Sequence, residues 1–313
     1  MAENPLFHII DSIYFEVPEQ VWNYDVETVK DKAPAWLVRQ HPEASPEEMK
    51  EALDGKILIP QPFGTPVNFY GKAESGFLIT RLMVVELVAA LIVGALFIWL
   101  ANRLQNGALP KGKLTNLLET MVVFIRDSVA RPTIGHHDAD AYMPILWTLF
   151  FFILACNLLG LVPFLGTVTG AFAVTLALSV ITLLVVVVGG MIRFGVVGFW
   201  TNMVPKLGLP WYGFIIVGLV FAIELASFFI KHGVLAVRLL ANMDAGHLVL
   251  FSLMNLPATV GVEVSSLVGG LVILIAFLAS IAFMLLELFV AFLQAYVFTF
   301  LSALFIGAAI HHH

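Results

Sequence analysis

Two apolar blocks, Trp211–Leu256 and Val264–Ile310, are each about 46 residues long. Coiled as helices they would run about 69 Å, against a bilayer hydrocarbon core of about 30 Å. Either each block doubles back as two spans, or each is one long helix lying steeply tilted. From Leu271 to Ile306 there is no Gly, Pro, Asn or Asp, so nothing in the second block supplies a turn. One uninterrupted helix is the reading it dictates. The first block carries Glu224, Lys231 and Arg238 at intervals of seven. On a helix these three share a face, drifting about 20° per step. A stop at Lys231-His232-Gly233 is the alternative, and it would make Lys231 and Arg238 ordinary cations at a membrane edge.

An ionised side chain at bilayer depth costs at least about 2.5–3.5 kcal/mol, so a row of them needs partners, water or another protein. The second block supplies a matching polar face in Ser280, Glu287 and Gln294, again seven apart. If the blocks form an antiparallel hairpin turning near Pro257–Ser266, facing residues have position numbers of constant sum. Arg238 with Gln294 and His247 with Glu287 satisfy this to within two residues. One register therefore sets Arg against Gln and His against Glu, which is what buried polar groups require.

The rest of the chain fits a polytopic all-α membrane protein. Of 313 residues 60% are hydrophobic and only 12% charged, about half the charge of a soluble domain. Five membrane helices are expected at about 82–101, 142–165, 171–192, 211–256 and 264–310, with residues 77–313 as the membrane domain. Residues 1–76 form a polar, acidic extension, read as an adaptable peripheral segment. Through residue 78 it holds 13 acidic and 6 basic side chains, with no basic start or early apolar core of a cleaved signal. Ser45-Pro46-Glu47-Glu48 is a capping box that predicts one short helix ending near Gly55. Trp22, Tyr24 and Trp36 are candidates for docking this segment on a membrane surface.

Leu114–Val129 has helical periodicity and reads as amphipathic and interfacial. Arg103, Lys111, Lys113, Arg126 and Arg131 in the 102–142 loop, with Arg193 and Lys206 in the 193–210 loop, put both loops in the cytoplasm by the positive-inside rule. The amino-terminal extension then lies outside and the carboxyl terminus inside. His136-His137-Asp138-Ala-Asp140 lacks further ligands at a recognised spacing and reads as a solvated loop, so no metal is expected. Cys156 is the only cysteine, which excludes an intrachain disulfide.

Three segments carry a resemblance: Arg238-Leu-Leu-Ala-Asn242-Met-Asp-Ala-Gly246-His247-Leu, the run Leu-Gln294-Ala-Tyr-Val-Phe, and Cys156-Asn157-Leu-Leu-Gly-Leu-Val-Pro163. Together they resemble subunit a of the rotary F-type ATP synthase, over roughly residues 77–310. The resemblance implies a non-catalytic, proton-translocating subunit of the bacterial plasma membrane that needs no cofactor. Its implied partners are a ring of c subunits bearing buried carboxylates, peripheral-stalk b subunits and the remainder of the complex.

By the same resemblance Arg238 attracts the deprotonated ring carboxylate and blocks direct flow between two half-channels. Gln294 orients Arg238, and Asn242 helps hydrate the same zone. Glu224, His247 and Glu287 line the half-channel open to the outside, with Asn157 and Ser280 as possible wall residues and Lys231 in a less defined role. In the best-known bacterial pattern the positions of His247 and Glu287 hold Glu and His instead. Their joint exchange here, as in mitochondrial relatives, implies contact.

Two other classes predict different features. A self-contained ion-coupled transporter requires paired repeats and Gly/Pro-broken half-helices, and neither is present. A membrane scaffold with no ion path predicts that Arg238→Ala leaves coupled proton transport intact. Protons are favoured over sodium because His247 suits a proton relay and contributes little to a hard-cation site.

Overall fold

The computed structural model describes residues 11–18, 22–40, 42–70, 73–104, 112–162, 165–203, 214–260 and 266–311. Lys111, Pro163, Lys206, Trp211, Tyr212 and residues 261–265 of the turn expected near Pro257–Ser266 lie outside the described residues, whereas Pro257–Val260 continue the helix before it. The chain forms two compact units, residues 1–90 with 156–171, and residues 91–155 with 172–313.

The first unit is more structured than an adaptable segment. Two antiparallel strand pairs, β1 (Tyr14–Glu16) with β2 (Lys56–Leu58) and β3 (Gly64–Pro66) with β4 (Ala73–Gly76), frame three short helices. These are α1 (Val29–Lys32), α2 (Ala35–Gln40) and α3 (Pro46–Leu53). α3 begins as its sequence dictates: Glu48 N–H donates to Ser45 Oγ at 3.2 Å and Ser45 N–H to Glu48 Oε2 at 2.8 Å. Ile13, Val29, Trp36, Leu37, Met49, Leu53 and Leu78 close into one apolar core.

Trp36 is thereby removed from the surface. It is 9% exposed and meets Phe69 edge-on at 5.1 Å, so it cannot dock a membrane as expected. Arg81, at the start of α4 (Arg81–Leu104), is buried in the same unit, and its backbone N–H donates to Ser12 O at 2.7 Å. Gly166 has φ +80°, and a Cβ there would stand 2.8 Å from Arg81 Nε, so this turn requires glycine.

The second unit contains the long helices. α5 (Lys113–Phe124) continues through a π-helical turn (Ile125–Ala130) into α6 (Arg131–Ile134). That extends the expected 114–129 helix, and Trp147 Nε1 donates to Val122 O at 3.1 Å beside the π turn. α7 runs Ala139–Gly160, starting earlier than expected and stopping short of Leu165.

α8 (Phe172–Asn202) passes the expected end at Ile192 and breaks within itself at Gly195, where φ is 77° and ψ 164°. The break lets Phe199 fold against Gly190, a position at which any Cβ would collide with the ring. α9 (Phe214–Val260) and α10 (Ser266–Ile310) are unbroken and pack on each other and on α8. Gly233 does not stop α9; a Cβ there would meet nothing within 4 Å, so it sits in the helix at only the usual glycine cost. Five of these helices, α4 and α7 to α10, are long and apolar enough to cross a membrane.

Candidate functional site

The polar row of α9 lies along a helix pair with an antiparallel register. Gln294 is 4% exposed, and its Nε2 donates to the backbone O of Arg238 at 3.2 Å. The amide therefore holds the main chain of that turn, where the resemblance implied that it orients the guanidinium itself. His247 Nε2 and Glu287 Oε1 stand 3.9 Å apart, near enough for an ion pair when the imidazole is charged. A Cβ on Gly246 would lie 2.5 Å from Glu287 Oε1, so glycine is what admits the carboxylate between the helices. Both cross-helix pairs expected from the constant sum are thus brought together.

Arg238 is exposed on α9 in a shallow groove whose other walls are Ile230, Gly233, Val234, Val237 and Ala241. Ile230 is 63% exposed and Val237 50%. No carboxylate forms an ion pair with Arg238 among the described residues. Asn242, one turn on, is exposed as well. An exposed cation in an apolar groove of a membrane helix is a demand for an outside anion.

Glu224 is not where it was expected. Because α9 is continuous, Glu224 lies about 34 Å along the axis from His247, on the far side of Arg238. It borders a different cavity, of about 210 Å³, with Lys231, His232, Phe199, Asn202 and His311. This space owes its shape to the Gly195 break, which turns Phe199 and Asn202 inward. The heptad spacing put Glu224 and Arg238 on one face without telling which end each serves.

The remaining candidates divide similarly. Ser280 gives its hydroxyl to Ala276 O at 2.8 Å, within its own helix. Asn157 belongs to the first unit, buried near the end of α7. His137 and Asp138 pair with each other at 3.2 Å on the surface. No grouping of three metal-ligating side chains occurs among the described residues.

His232 also borders the Glu224 cavity, although the sequence marks it only as part of the alternative stop at Lys231-His232-Gly233. One residue from Lys231, it points about 100° away from the polar row, into the helix interface.

Residues 82–307 match the family described as ATP synthase A chain. The ATP synthase subunit a of Myxococcus xanthus is 42% identical over 230 residues, covering 72% of this chain and 72% of its own length. That of Chloroherpeton thalassium is 38% identical over 267 residues, covering 83% and 75%. The subunit a 2 of Prosthecochloris aestuarii is 37% identical over 290 residues, covering 91% and 86%. With its five long apolar helices and this likeness over most of its length, the chain belongs to the ATP synthase subunit a family.

Proposed function

We propose that this chain is the stationary proton conductor of the membrane sector, working against a rotating ring of c subunits. The observation that carries the proposal is the Arg238 guanidinium, exposed on an apolar helix face with a polar site on either side of it along α9. A carboxylate presented by a neighbouring subunit is the partner such a cation selects. Beside a cation a carboxylate pKa falls by about 1–3 units, so the ring carboxylate is held ionised there. Arginine keeps its charge through this encounter where lysine would readily lose it. The same charge repels a proton attempting to cross directly.

Proton entry and exit are then separated. The His247–Glu287 pair forms one half-channel and the cavity at Glu224 the other. A ring carboxylate leaving Arg238 takes a proton on one side, travels neutral through lipid, and returns to release it on the other. Each proton moved through about 100 mV yields about 2.3 kcal/mol, and several together drive rotation. The chain itself performs no bond chemistry on nucleotide; synthesis falls to other subunits, and b subunits complete the stationary part.

The orientation in this reading rests on charge. Arg103 in the last turn of α4, Lys113, Arg126 and Arg131 in the α5–α6 segment and Arg193 beside the Gly195 break of α8 favour their side as cytoplasmic in a bacterial plasma membrane. The Glu224 cavity then opens inward and the His247–Glu287 pair outward, with residues 1–76 outside as an extension to the membrane domain 77–313.

The test is Arg238→Ala in vesicles carrying the whole complex. ATP-driven proton pumping is expected to fall to background. Pumping at the normal rate would leave this chain as a scaffold.

A further inference from the structure

His232 sits on α9 with 3% of its surface exposed. Its Nδ1 is 2.9 Å from Phe228 O, and since a carbonyl only accepts, Nδ1 carries the hydrogen. In the neutral ring this leaves Nε2 as the acceptor, and Nε2 is buried without a hydrogen-bond partner among the described residues. The ring is held on several sides. Phe228 and Phe305 stand 4.9 Å from it, and Ser179 Oγ donates to the His232 backbone O at 2.5 Å, tying this turn of α9 to α8.

A buried acceptor left unpaired is destabilising, a cost that an aromatic residue of similar size would avoid. So costly a group, fixed in one orientation, calls for a use. His232 borders the cavity of about 210 Å³, which has room for several waters, and shares it with the titratable groups Glu224, Lys231 and His311. Asn202 adds a neutral amide from α8.

We propose that His232 is a proton-relaying residue of this cavity. The proposal rests on the cavity being one of the two half-channels. A proton released from the ring carboxylate reaches Nε2 through water, and an N–H bond forms there as the O–H bond of the donating water chain breaks. The imidazolium then returns that same proton to water on the Glu224 side, whose carboxylate stabilises the cation while Lys231 opposes its lasting. The Nδ1–H bond to Phe228 O stays intact throughout, so no ring flip intervenes. Imidazole is the one side chain whose ordinary pKa, about 6.5, lets it take and give a proton near neutrality.

The experiment uses the complete complex in proteoliposomes with His232→Ala, reading ATP-driven pumping with and without added imidazole. The expected result is a several-fold loss of pumping that imidazole restores. Methylated imidazoles of different pKa should shift the pH at which rescue is half-maximal, a response that lost packing alone does not give. His232→Phe keeps the ring packing and removes the acceptor, so it should lose pumping without rescue. Normal pumping in either variant overturns the relay, and so does a loss in His232→Ala that no imidazole restores while the subunit content is unchanged. Arg238→Ala in the same vesicles keeps the two ideas apart. If it pumps normally the half-channel reading itself fails, whatever His232 does.

Discussion

The two ends of the α9–α10 hairpin solve the problem of polarity in an apolar helix pair in opposite ways. Towards the C-terminal end of α9, Glu287 is 5% exposed and faces His247 across a gap made by Gly246. The groups are few and fixed by packing. At the other end, Glu224, Lys231 and His232 border open space, and α8 supplies the far wall through Phe199 and Asn202. A tight pair depends on every member, because each buried charge relies on its partner. A wet cavity spreads the task over several groups and water, so removing one leaves others. The hairpin thus offers a brittle site and a tolerant one, with Arg238 between.

The sharpest way to break that contrast is to neutralise one carboxylate at each end. Glu287→Gln should reduce pumping to near background, since it removes the carboxylate that stands 3.9 Å from His247. Glu224→Gln should cost several-fold and leave coupled rotation measurable. Varying pH on each side of the vesicle membrane separates them further. The Glu287 variant should alter the response to pH on the side of the C-terminal end of α9, and the Glu224 variant the response on the opposite side. If both variants altered the same side, the two sites would not be separate paths.

A smaller effect is expected from exchanging the pair. His247→Glu and Glu287→His each place like groups in contact or leave a partner alone, whereas the double variant restores one acid and one base. A coupling energy of about 1 kcal/mol, roughly fivefold in rate, is ordinary for residues in contact. A double-mutant cycle on pumping rates measures it. Additive losses would mean that the 3.9 Å approach carries no functional coupling.

How much of this was legible depended on what the residues repeat. α10 could be read as one helix because 36 consecutive residues offer no turn former. The Arg–Gln and His–Glu facings followed from a constant sum, which holds whenever two straight helices run antiparallel. Of the amino-terminal unit only α3 was legible, from its capping box. The unit's strands are three or four residues long and its core draws on Ile13, Val29, Trp36, Met49 and Leu53 without a period. The Glu224 cavity was hidden for another reason: it is built by tertiary packing of α8, and the one local signal, Gly195, lies in an apolar run with nothing to mark its positive φ.

That glycine gives the finest test of the contrast. With φ 77° and ψ 164°, Gly195 occupies backbone space closed to other residues, and holding an alanine there costs about 1–3 kcal/mol. The strain is relieved if α8 straightens, which would swing Phe199 off Gly190 and withdraw Phe199 and Asn202 from the cavity wall. Gly195→Ala should therefore lower thermal stability modestly and change pumping only through the Glu224 end. Its pumping should show an altered response to pH on the cavity side, with the response on the His247–Glu287 side unchanged. Combining Gly195→Ala with Glu224→Gln should give less than additive loss, because both act on one space. Combining it with His247→Glu should give additive loss. Were Gly195→Ala to disturb both sides equally, the α8 break would be supporting the hairpin as a whole, and the tolerance of the cavity end would need another cause.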